Sequence, residues 1–305
     1  MSSIYVSSTA ARQKKTNYPF YAENLLSVEI AEGRYVARFA QTLEEVDAAL
    51  RLRFEVFNLE LDEGLKSSYI TERDEDEFDQ TCHHLIVVEA ATNNVIGTYR
   101  LRTLEMARAS HGFYSETEFD LSTLPKEVLE NAVETGRACI DRNHRNTRVL
   151  FLLWRGLALY MTFRQKRFMF GCCSLMSQDC TEGRRALRQL TRDGHVHESW
   201  RVAPRAGFAC QPSDYCSEMT NKEVELPRLF STYLRIGAKV CGEPVIDREF
   251  KTIDFFVIFD KETVDEKYFE MLFGQAEAMF KKTNSNQAAA REIVASPKLF
   301  DQINR

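Results

Sequence analysis

The pattern of apolar and polar positions predicts helices and strands along most of this chain. Residues 41–59 carry apolar side chains at helical spacing, with Thr42 as the predicted N-cap and Glu45 three positions later, as in a capping box. Two β-rich runs, 84–90 and 95–102, are joined by a short Thr-Asn-Asn segment. Such runs separated by turn residues predict a hairpin.

The central part of the chain predicts a βαβ unit. Residues 129–140 have strand character, the apolar segment that follows has helix character, and residues 167–173 form a second short strand pattern. A crossover of this kind places two parallel strands side by side. Further patterns predict helices over 182–192 and 226–240, a strand over 251–260, and an amphipathic helix through 282. The fold class is therefore α/β (α+β), with a mixed central sheet flanked by helices.

The same patterns suggest how the chain is divided. We expect an N-terminal arm over 1–33, one domain over 34–282 with a helical or irregular insertion near 177–240, and a flexible tail over 283–305. The last helix carries apolar side chains on one stripe, which we expect to pack on the core. Contact of that stripe with a membrane surface, where a lipid product leaves, is the alternative.

Composition narrows the location and the partners. The longest apolar run, 149–163, is interrupted by Arg155 and is too short to span a bilayer, and residues 1–15 lack the apolar segment of a signal peptide. We therefore expect a cytoplasmic protein. The formal net charge is −5, yet residues 137–205 hold fourteen Lys and Arg against five Asp and Glu. This basic middle favours an acidic protein or an anionic membrane surface, because no nucleic-acid motif accompanies it. A solvated face with no partner is the simpler alternative.

The eight cysteines give no sign of a metal centre or a disulfide framework. They contain no Cys-x-x-Cys pair and no alternating Cys and His ligand spacing. Two adjacent histidines, His83 and His84, begin a β-rich run, and we expect both to be hydrogen-bonded structural residues. The sequence predicts no metal site.

Charged residues recur within the β-rich runs and form the candidate chemistry. Asp76, Asp79, Arg100, Glu134 and Arg137 would be costly to bury unpaired, so we expect them to pair with one another. Gly136 lies between the last two and makes a β-bulge plausible, which would splay the parallel strands and open a wedge. A structural ion-pair network without catalysis is the alternative interpretation.

A basic turn follows the first strand of the βαβ unit. It contains Arg142, Arg145 and Arg148 and leads directly into the apolar helix. Unpaired N–H groups and the helix dipole favour an anion at such a terminus. We therefore expect this turn to bind a phosphate.

Two sets of motifs link these residues to a known family. The first set is Arg53-Phe-Glu-Val-Phe57, Asp74-Glu-Asp76-Glu-Phe-Asp79, Gly97-Thr-Tyr-Arg100 and Glu134-Thr-Gly-Arg137, and the second is Cys82-His-His-Leu-Ile-Val, Leu152-Leu-Trp-Arg-Gly-Leu, Phe170-Gly-Cys-Cys-Ser and Gly242-Glu-Pro-Val-Ile-Asp-Arg-Glu-Phe. With them, residues 34–260 resemble the GNAT fold, in its branch of acyl-carrier-protein-dependent N-acyltransferases. The second set makes the chain more similar to the ornithine–acyl-carrier-protein enzymes. The acyl-homoserine-lactone synthases resemble it less, because the chain has no tryptophan before Trp154 and is longer.

The resemblance implies a reaction and its substrates. An enzyme of this kind moves a long-chain acyl group, 3-hydroxylated or not, from 4′-phosphopantetheine on acyl carrier protein to the α-amine of an amino acid, with acyl-CoA as the alternative donor. It needs no bound cofactor. The usual acetyl-CoA fingerprint of the fold is absent, and the basic turn stands in its place. A lactone-type synthase and a non-catalytic acyl- or carrier-binding module on the same fold are the alternatives.

The resemblance and the charge pattern together suggest roles for the candidate residues. Glu134 is the expected base, Arg100 the expected partner of the amino acid's carboxylate, and Arg137 flanks the thioester. The residues expected to bind substrate are Arg53, Phe57, Asp74, Asp76, Asp79, Cys139 and Trp154. For Trp154 a place in the core is the favoured expectation, and the lining of an acyl tunnel is the alternative. Arg142, Arg145 and Arg148 are expected to bind the pantetheine phosphate and the carrier.

Overall fold

A nine-stranded mixed sheet forms the centre of the protein in the computed structural model. The structure describes residues 18–210 and 223–295, and it describes side chains up to residue 281. Its strands are β1 (Ile30–Glu32), β2 (Tyr35–Phe39), β3 (His83–Glu89), β4 (Val95–Thr103), β6 (Ala132–Ile140), β7 (Phe168–Leu175), β9 (Lys239–Val240), β10 (Val245–Asp247) and β11 (Thr252–Asp260). Two shorter strands, β5 (Phe119–Asp120) and β8 (Ala203–Pro204), pair separately.

The strand order of the sheet is β1-β2-β3-β4-β6-β7-β11-β10, with β9 also paired to β11. The β6–β7 ladder is parallel, and the other ladders between these strands are antiparallel. This mixed sheet with one parallel pair is the GNAT-like arrangement, and the predicted βαβ unit lies at its centre. The predicted hairpin is β3 with β4.

Helices lie along the chain between these strands. They are α1 (Leu43–Arg53), α2 (Ser68–Thr71), α3 (Leu104–Arg108), α4 (Lys126–Glu130), α5 (Thr147–Phe163), α6 (Cys180–Arg192), α7 (Arg228–Arg235) and α8 (Glu266–Ala295). None of the helices in the described residues is long and apolar enough to cross a membrane.

The first helix begins where the sequence predicts. The Thr42 side chain accepts a hydrogen bond from the Glu45 N–H, and the Glu45 carboxylate accepts one from the N–H of Gln41 at 2.7 Å. After Arg53 the backbone continues as a π-helix over Phe54–Glu60, so the predicted helix changes its winding half-way. Such wide turns are often found at functional sites.

Two predicted boundaries are wrong, and proline or glycine explains both. The strand expected from residue 129 starts at Ala132, because Pro125 opens the helical turn α4 ahead of it. The helix expected over 226–240 ends at Arg235, since Gly237 adopts φ 106° and turns the chain into β9. Residues that had helical spacing therefore pair with β11.

Both faces of the sheet are buried, which explains the nearly continuous apolar strands. Along β11, Phe255 and Val257 pack in the cluster that includes α5 and α8, whereas Phe256 and Ile258 pack in a second cluster on the other face. The apolar stripe of α8 packs on the first cluster through Leu272 and Ala276. Packing of this stripe on the core is confirmed.

At both ends of the described residues, an element crosses a boundary that the sequence predicts. The β1–β2 hairpin lies on both sides of the expected boundary at residue 33, because Ile30 pairs with Ala37. At the other end, α8 continues to Ala295, past the expected start of a tail at 283. Most of the predicted arm and the last ten residues lie outside the described residues.

Candidate active site

The two parallel strands separate soon after they meet. Their register runs from Ala132 opposite Phe168 to Glu134 opposite Phe170, although both strands continue well beyond these positions. At the point of separation a Cβ on Gly171 would lie 2.2 Å from the carbonyl oxygen of Thr135, so only glycine allows this approach. The predicted splayed pair is therefore present.

A β-bulge lies on the β6 side of this wedge. Gly136 pairs with Arg100 and Cys139 with Thr98, which leaves Arg137 and Ala138 together opposite Tyr99. The bulge thus falls one residue after the predicted Gly136. Arg137 adopts φ 51°, a left-handed backbone that is uncommon for a side chain other than glycine.

A cavity of about 330 Å³ occupies the wedge and reaches both faces of the sheet. On the α5/α8 face its wall is apolar and includes Leu157, Met169, Tyr233 and Val257. On the opposite face its wall is polar and includes the side chains of Arg100, Glu134, Arg137 and Asp254. A ligand in this cavity would therefore pass between the strands, with an apolar part on one side and a polar part on the other.

Three arginines and three aspartates form a buried ion-pair network beside the cavity. Arg53 donates to Asp74 at 2.7 Å and to Asp79 at 2.6 Å. Arg100 pairs with Asp79 at 3.0 Å and with Asp76 at 2.5 Å. Arg137, the third arginine, lies 3.5 Å from Asp74 and 3.4 Å from Asp76. The predicted pairing is confirmed for Asp76, Asp79, Arg100 and Arg137, whereas Glu134 forms no ion pair within the described residues.

The network fixes the charge state of its members. Burial alone would raise the pKa of Asp79, but the guanidinium groups of Arg53 and Arg100 hold it well below its usual value. Burial would likewise raise the pKa of Asp74, but the charges of Arg53 and Arg137 lower it. Arg100 and Arg137 line the cavity, whereas Arg53 and the aspartates are not among its lining residues. The aspartates also order their own loop, because Asp76 accepts the Phe78 N–H and Asp79 accepts the Asp76 N–H.

Glu134 lies on the polar face of the wedge, and backbone N–H groups hold its carboxylate. Its two carboxylate oxygens accept the backbone N–H groups of Tyr114 at 2.8 Å and Ser115 at 2.7 Å. Burial raises the pKa of Glu134 above its ordinary value, and these hydrogen bonds offset part of that rise. A carboxylate with a raised pKa at the edge of a cavity is suited to accept a proton.

The other predicted substrate residues separate into two groups. Phe57, in the π-helix, lines the cavity. Cys139 instead packs against Leu52 and Val56 near α1, and burial raises the pKa of its thiol. Trp154 stands in the core next to Tyr233, with ring centroids 6.0 Å apart, and is not a lining residue. Cavity contact therefore holds for Phe57 but not for the side chains of Cys139 and Trp154.

All three arginines of the basic turn are exposed, and one of them, Arg145, is tethered by an ion pair. Arg145 forms a two-point ion pair with Glu60, at 2.5 and 2.8 Å, and donates to the carbonyl of Ile140. Arg142 and Arg148 are exposed, and α5 begins directly between them in sequence, with Asn146 capping its Val149 N–H. The first turn of α5 is thus a cationic helix N-terminus at the end of β6.

The histidines at the start of β3 are structural. The Nε2 of His84 donates to the Asp79 carbonyl at 2.8 Å, while its Nδ1 is buried without a hydrogen-bond partner. The Nε2 of His83 donates to the Phe20 carbonyl, and its Nδ1 accepts from the hydroxyl of Tyr160. Burial lowers the pKa of both imidazoles to about 4. Hydrogen-bonded structural histidines are confirmed.

A buried acidic cluster on the polar face is absent from the sequence prediction. Carboxylate oxygens of Glu118, Asp247 and Asp254 lie within 4.8 Å of one another. Asp254 also lines the cavity, as does Glu63. The signal in the sequence is an aspartate within the apolar run of β11. Three close carboxylates can share a cation, which distinguishes this cluster from the arginine-paired network.

Known proteins with similar sequences identify the family of this chain. The family described as "Acetyltransferase (GNAT) domain" matches residues 52–155. An L-ornithine N(alpha)-acyltransferase of Brucella abortus (strain 2308) is 32% identical over 248 residues, which cover 77% of this chain and 88% of that protein. This chain belongs to that family of GNAT N-acyltransferases.

A second sequence relative and a solved structure are also similar to this chain. An L-ornithine N(alpha)-acyltransferase of Agrobacterium fabrum (strain C58 / ATCC 33970) is 29% identical and covers 80% of this N-acyltransferase and 87% of its own chain. Among solved structures, the AHL synthase LasI aligns with 80% of this chain and 96% of its own, at 11% identity and a TM-score of 0.44.

The family match covers only part of the wedge of this N-acyltransferase. Residues 52–155 include Arg100, Glu134 and Arg137, together with the basic turn. The apolar wall from α7 and β11, and Asp254 of the acidic cluster, lie beyond it. Sequence patterns did not identify Tyr99 and Tyr233, whose hydroxyl groups are hydrogen-bonded to each other at the cavity.

Proposed function

We propose that this N-acyltransferase moves a long-chain acyl group from acyl carrier protein to the α-amine of an amino acid, with ornithine, the substrate named for its relatives, as the first candidate. The observation that carries the proposal is the cavity between the splayed strands. It joins an apolar wall of suitable size for part of an acyl chain to a polar wall that includes the carboxylates of Glu134 and Asp254 and the guanidinium groups of Arg100 and Arg137. The thioester would lie at the crossing.

The amine attacks the thioester carbonyl carbon directly. The C–N bond forms first and leaves a negative charge on the carbonyl oxygen, and the C–S bond then breaks as the carbonyl re-forms. The surplus proton of the attacking nitrogen passes to the pantetheine sulfur, which leaves as a thiol. Amino acid amines are mostly protonated at neutral pH, so a base must first accept a proton. Glu134 supplies that base, directly or through one water. Its hydrogen bonds to Tyr114 and Ser115 hold both oxygens in place.

The bulge stabilises the charge that develops on the carbonyl oxygen. Beyond Glu134, β6 has no ladder with β7, so backbone N–H groups between Arg137 and Cys139 can face the wedge. Donors held in advance by a strand cost no reorganisation during the reaction. This role for Cys139 uses its backbone, because its thiol packs near α1.

Arg100 binds the carboxylate of the amino acid in this proposal. It lines the cavity, and its guanidinium lies 5.5 Å from the ring centroid of Tyr114 and 5.6 Å from that of Phe78. Asp76 and Asp79 hold it from behind by ion pairs. An arginine fixed in this way offers its remaining N–H groups in a defined geometry.

Acyl carrier protein is the proposed donor because of the charge around the helix that follows the wedge. Arg142 and Arg148 are exposed at the start of α5, within a basic stretch of an otherwise acidic chain. A single pantetheine phosphate and an acidic carrier surface suit such a site. Arg145 holds the turn through Glu60 and acts by positioning.

The cavity mouth carries exposed apolar side chains that would favour a lipid. Leu61 and Met176 line the cavity and are 37% and 55% exposed, and nearby in sequence Ile70 is 87% exposed. We expect the acyl product to leave past them, in contact with the membrane surface.

One assay tests the proposal. Purified protein is incubated with acyl carrier protein that carries a long-chain acyl group and with L-ornithine or, in separate reactions, each of the other amino acids. Free thiol and the mass of the product are followed. We expect equal amounts of thiol and N-acyl ornithine, with acyl-CoA as the matched alternative donor. Absence of thiol release with every amino acid and both donors would leave an acyl-binding module as the function and reject the transferase.

A further inference from the structure

The acidic cluster is built from three parts of the fold that meet on the polar face of the sheet. Glu118 precedes β5, Asp247 ends β10 and Asp254 lies in β11, directly opposite Ser174 of β7. Asp247 is held by the N–H groups of Glu249 at 2.7 Å and Phe250 at 2.9 Å. The loop after β10 therefore keeps one carboxylate in place against the other two.

The cluster has acceptor atoms without donors. Glu118 Oε1, Asp254 Oδ1 and Thr252 Oγ1 are buried and have no hydrogen-bond partner, and all three side chains are at least nine-tenths buried. None of Glu118, Asp247 and Asp254 forms an ion pair with a lysine or arginine of the described residues. Burial raises the pKa of Glu118 and of Asp254, and the charge of Asp247 raises both further. Unpartnered buried acceptors require either protons or a cation.

One side of the cluster reaches the cavity, whereas Glu118 and Asp247 are not among its lining residues. Thr252 and Asp254 line the cavity that also contains Arg100 and Arg137. The cavity therefore presents guanidinium groups at one position and carboxylates at another. An amino acid with a carboxylate at one end and a cation at the end of its side chain matches both.

We infer that Glu118, Asp254 and Thr252, supported by Asp247, bind the side-chain ammonium group of a diamino acid acceptor. This inference rests on the proposed function. An ammonium group has three N–H donors, which can be accepted by Glu118 Oε1, Asp254 Oδ1 and Thr252 Oγ1, the unpartnered buried oxygen atoms at this cluster. Mg²⁺ and Ca²⁺ prefer six or more oxygen ligands and are therefore the weaker fit.

The test compares L-ornithine with L-norvaline, which has the same carbon chain without the terminal amine. In the wild type we expect kcat/KM to favour ornithine by about 100-fold or more, because a site built to bond a polar group rejects the analogue that lacks it. Glu118→Gln and Asp254→Asn should each reduce this ratio by about 10-fold or more. Glu127→Gln removes the same negative charge from an exposed position on α4 and should leave the ratio unchanged.

A binding measurement separates failure of this inference from failure of the proposed function. Calorimetric titration of each protein with ornithine and norvaline needs no acyl transfer and should show the same loss of preference. Equal binding of the two amino acids by the wild type would overturn the inference even if both are acylated. An ornithine preference that disappears with EDTA and returns with Mg²⁺ or Ca²⁺ would replace the ammonium site with a metal site. Selective ornithine binding without acylation would reject only the transferase.

Discussion

Phe250 connects the two charged regions of the cavity through Arg137. The guanidinium carbon of Arg137 lies 4.2 Å from the centroid of the Phe250 ring, and the N–H of Phe250 donates to Asp247 at 2.9 Å. One residue thus contacts the strained arginine of the bulge with its ring and a member of the acidic cluster with its backbone. The loop after β10 is part of the candidate site for this reason.

Removal of the Phe250 ring should weaken the site without breaking the sheet. A cation–π contact with a buried arginine contributes about 0.5–2 kcal/mol, so we expect Phe250→Ala to lower kcat/KM by roughly 3- to 30-fold. Phe250→Tyr keeps the ring and should retain most activity. Thermal unfolding checks that both variants fold, and equal activity of the two would exclude a role for the ring.

Replacement of the Glu134 carboxylate should affect the chemical step. General bases contribute about 100- to 10,000-fold, so we expect a loss of kcat in this range for Glu134→Gln. The rise of the wild-type rate with pH through the pKa of Glu134 should also disappear from the profile.

Glu116 supplies the matched control for Glu134. Its carboxylate accepts the Phe113 N–H at 2.7 Å in the same turn, but it does not line the cavity. Glu116→Gln should therefore remain within about 2-fold of the wild type, while it tests the structural part of the effect. A normal rate and pH profile in Glu134→Gln would remove Glu134 as the base.

Gly171 should be irreplaceable at the wedge, whereas Gly136 should not. A Cβ at Gly171 would lie 2.2 Å from a backbone oxygen, and a Cβ at Gly136 would have no atom within 4 Å. We expect Gly171→Ala to lower the free energy of unfolding by about 1–3 kcal/mol, as overpacking does, and Gly136→Ala to leave it nearly unchanged. Urea unfolding measures both. Equal stabilities would contradict the close approach of β7 to Thr135.

Stability should fall as the pH falls from about 6.5 to about 4, in part through His84. The folded pKa of His84 is lowered to about 4, so the unfolded chain binds the extra proton throughout this window. Asp79, Arg53 and Arg100 face the imidazole, and Asp79 opposes the effect of burial. The expected contribution is on the order of 2–3 kcal/mol.

His84→Gln isolates this contribution. Glutamine can keep a donor for the Asp79 carbonyl but does not titrate in this range. The loss of unfolding free energy between pH 6.5 and pH 4 should be smaller in the variant than in the wild type. Protonation of Glu118 and Asp254 acts in the opposite direction and is common to both proteins, so the difference between them reports on His84. Equal pH dependence would show that His84 is not neutral in the folded state.

Much of the site followed from local patterns because buried charges leave a clear trace in apolar runs. Arg100, Glu134 and Arg137 are identified in this way, and Asp76 and Asp79 pair with the two arginines as expected. Glu134 instead accepts two backbone N–H groups. The bulge was placed one residue early, since Gly136 is the residue that tolerates a bulge whereas Arg137 adopts the left-handed backbone. The position of the strain depends on contacts from distant residues, including Phe250.

The sequence by itself determined the βαβ unit, the basic turn and the residues that carry the candidate chemistry, because periodicity and short motifs are local properties of a chain. Only the tertiary structure decided which of these residues reach the cavity. Arg53 and Cys139 occur in the same motifs or strand as cavity residues but lie outside it, while Tyr233 and Asp254 join it from α7 and β11. The acidic cluster likewise exists only where β10, β11 and the segment before β5 meet. Pairing of strands that are far apart in sequence has no local signal, and it is this pairing that brings the carboxylates together.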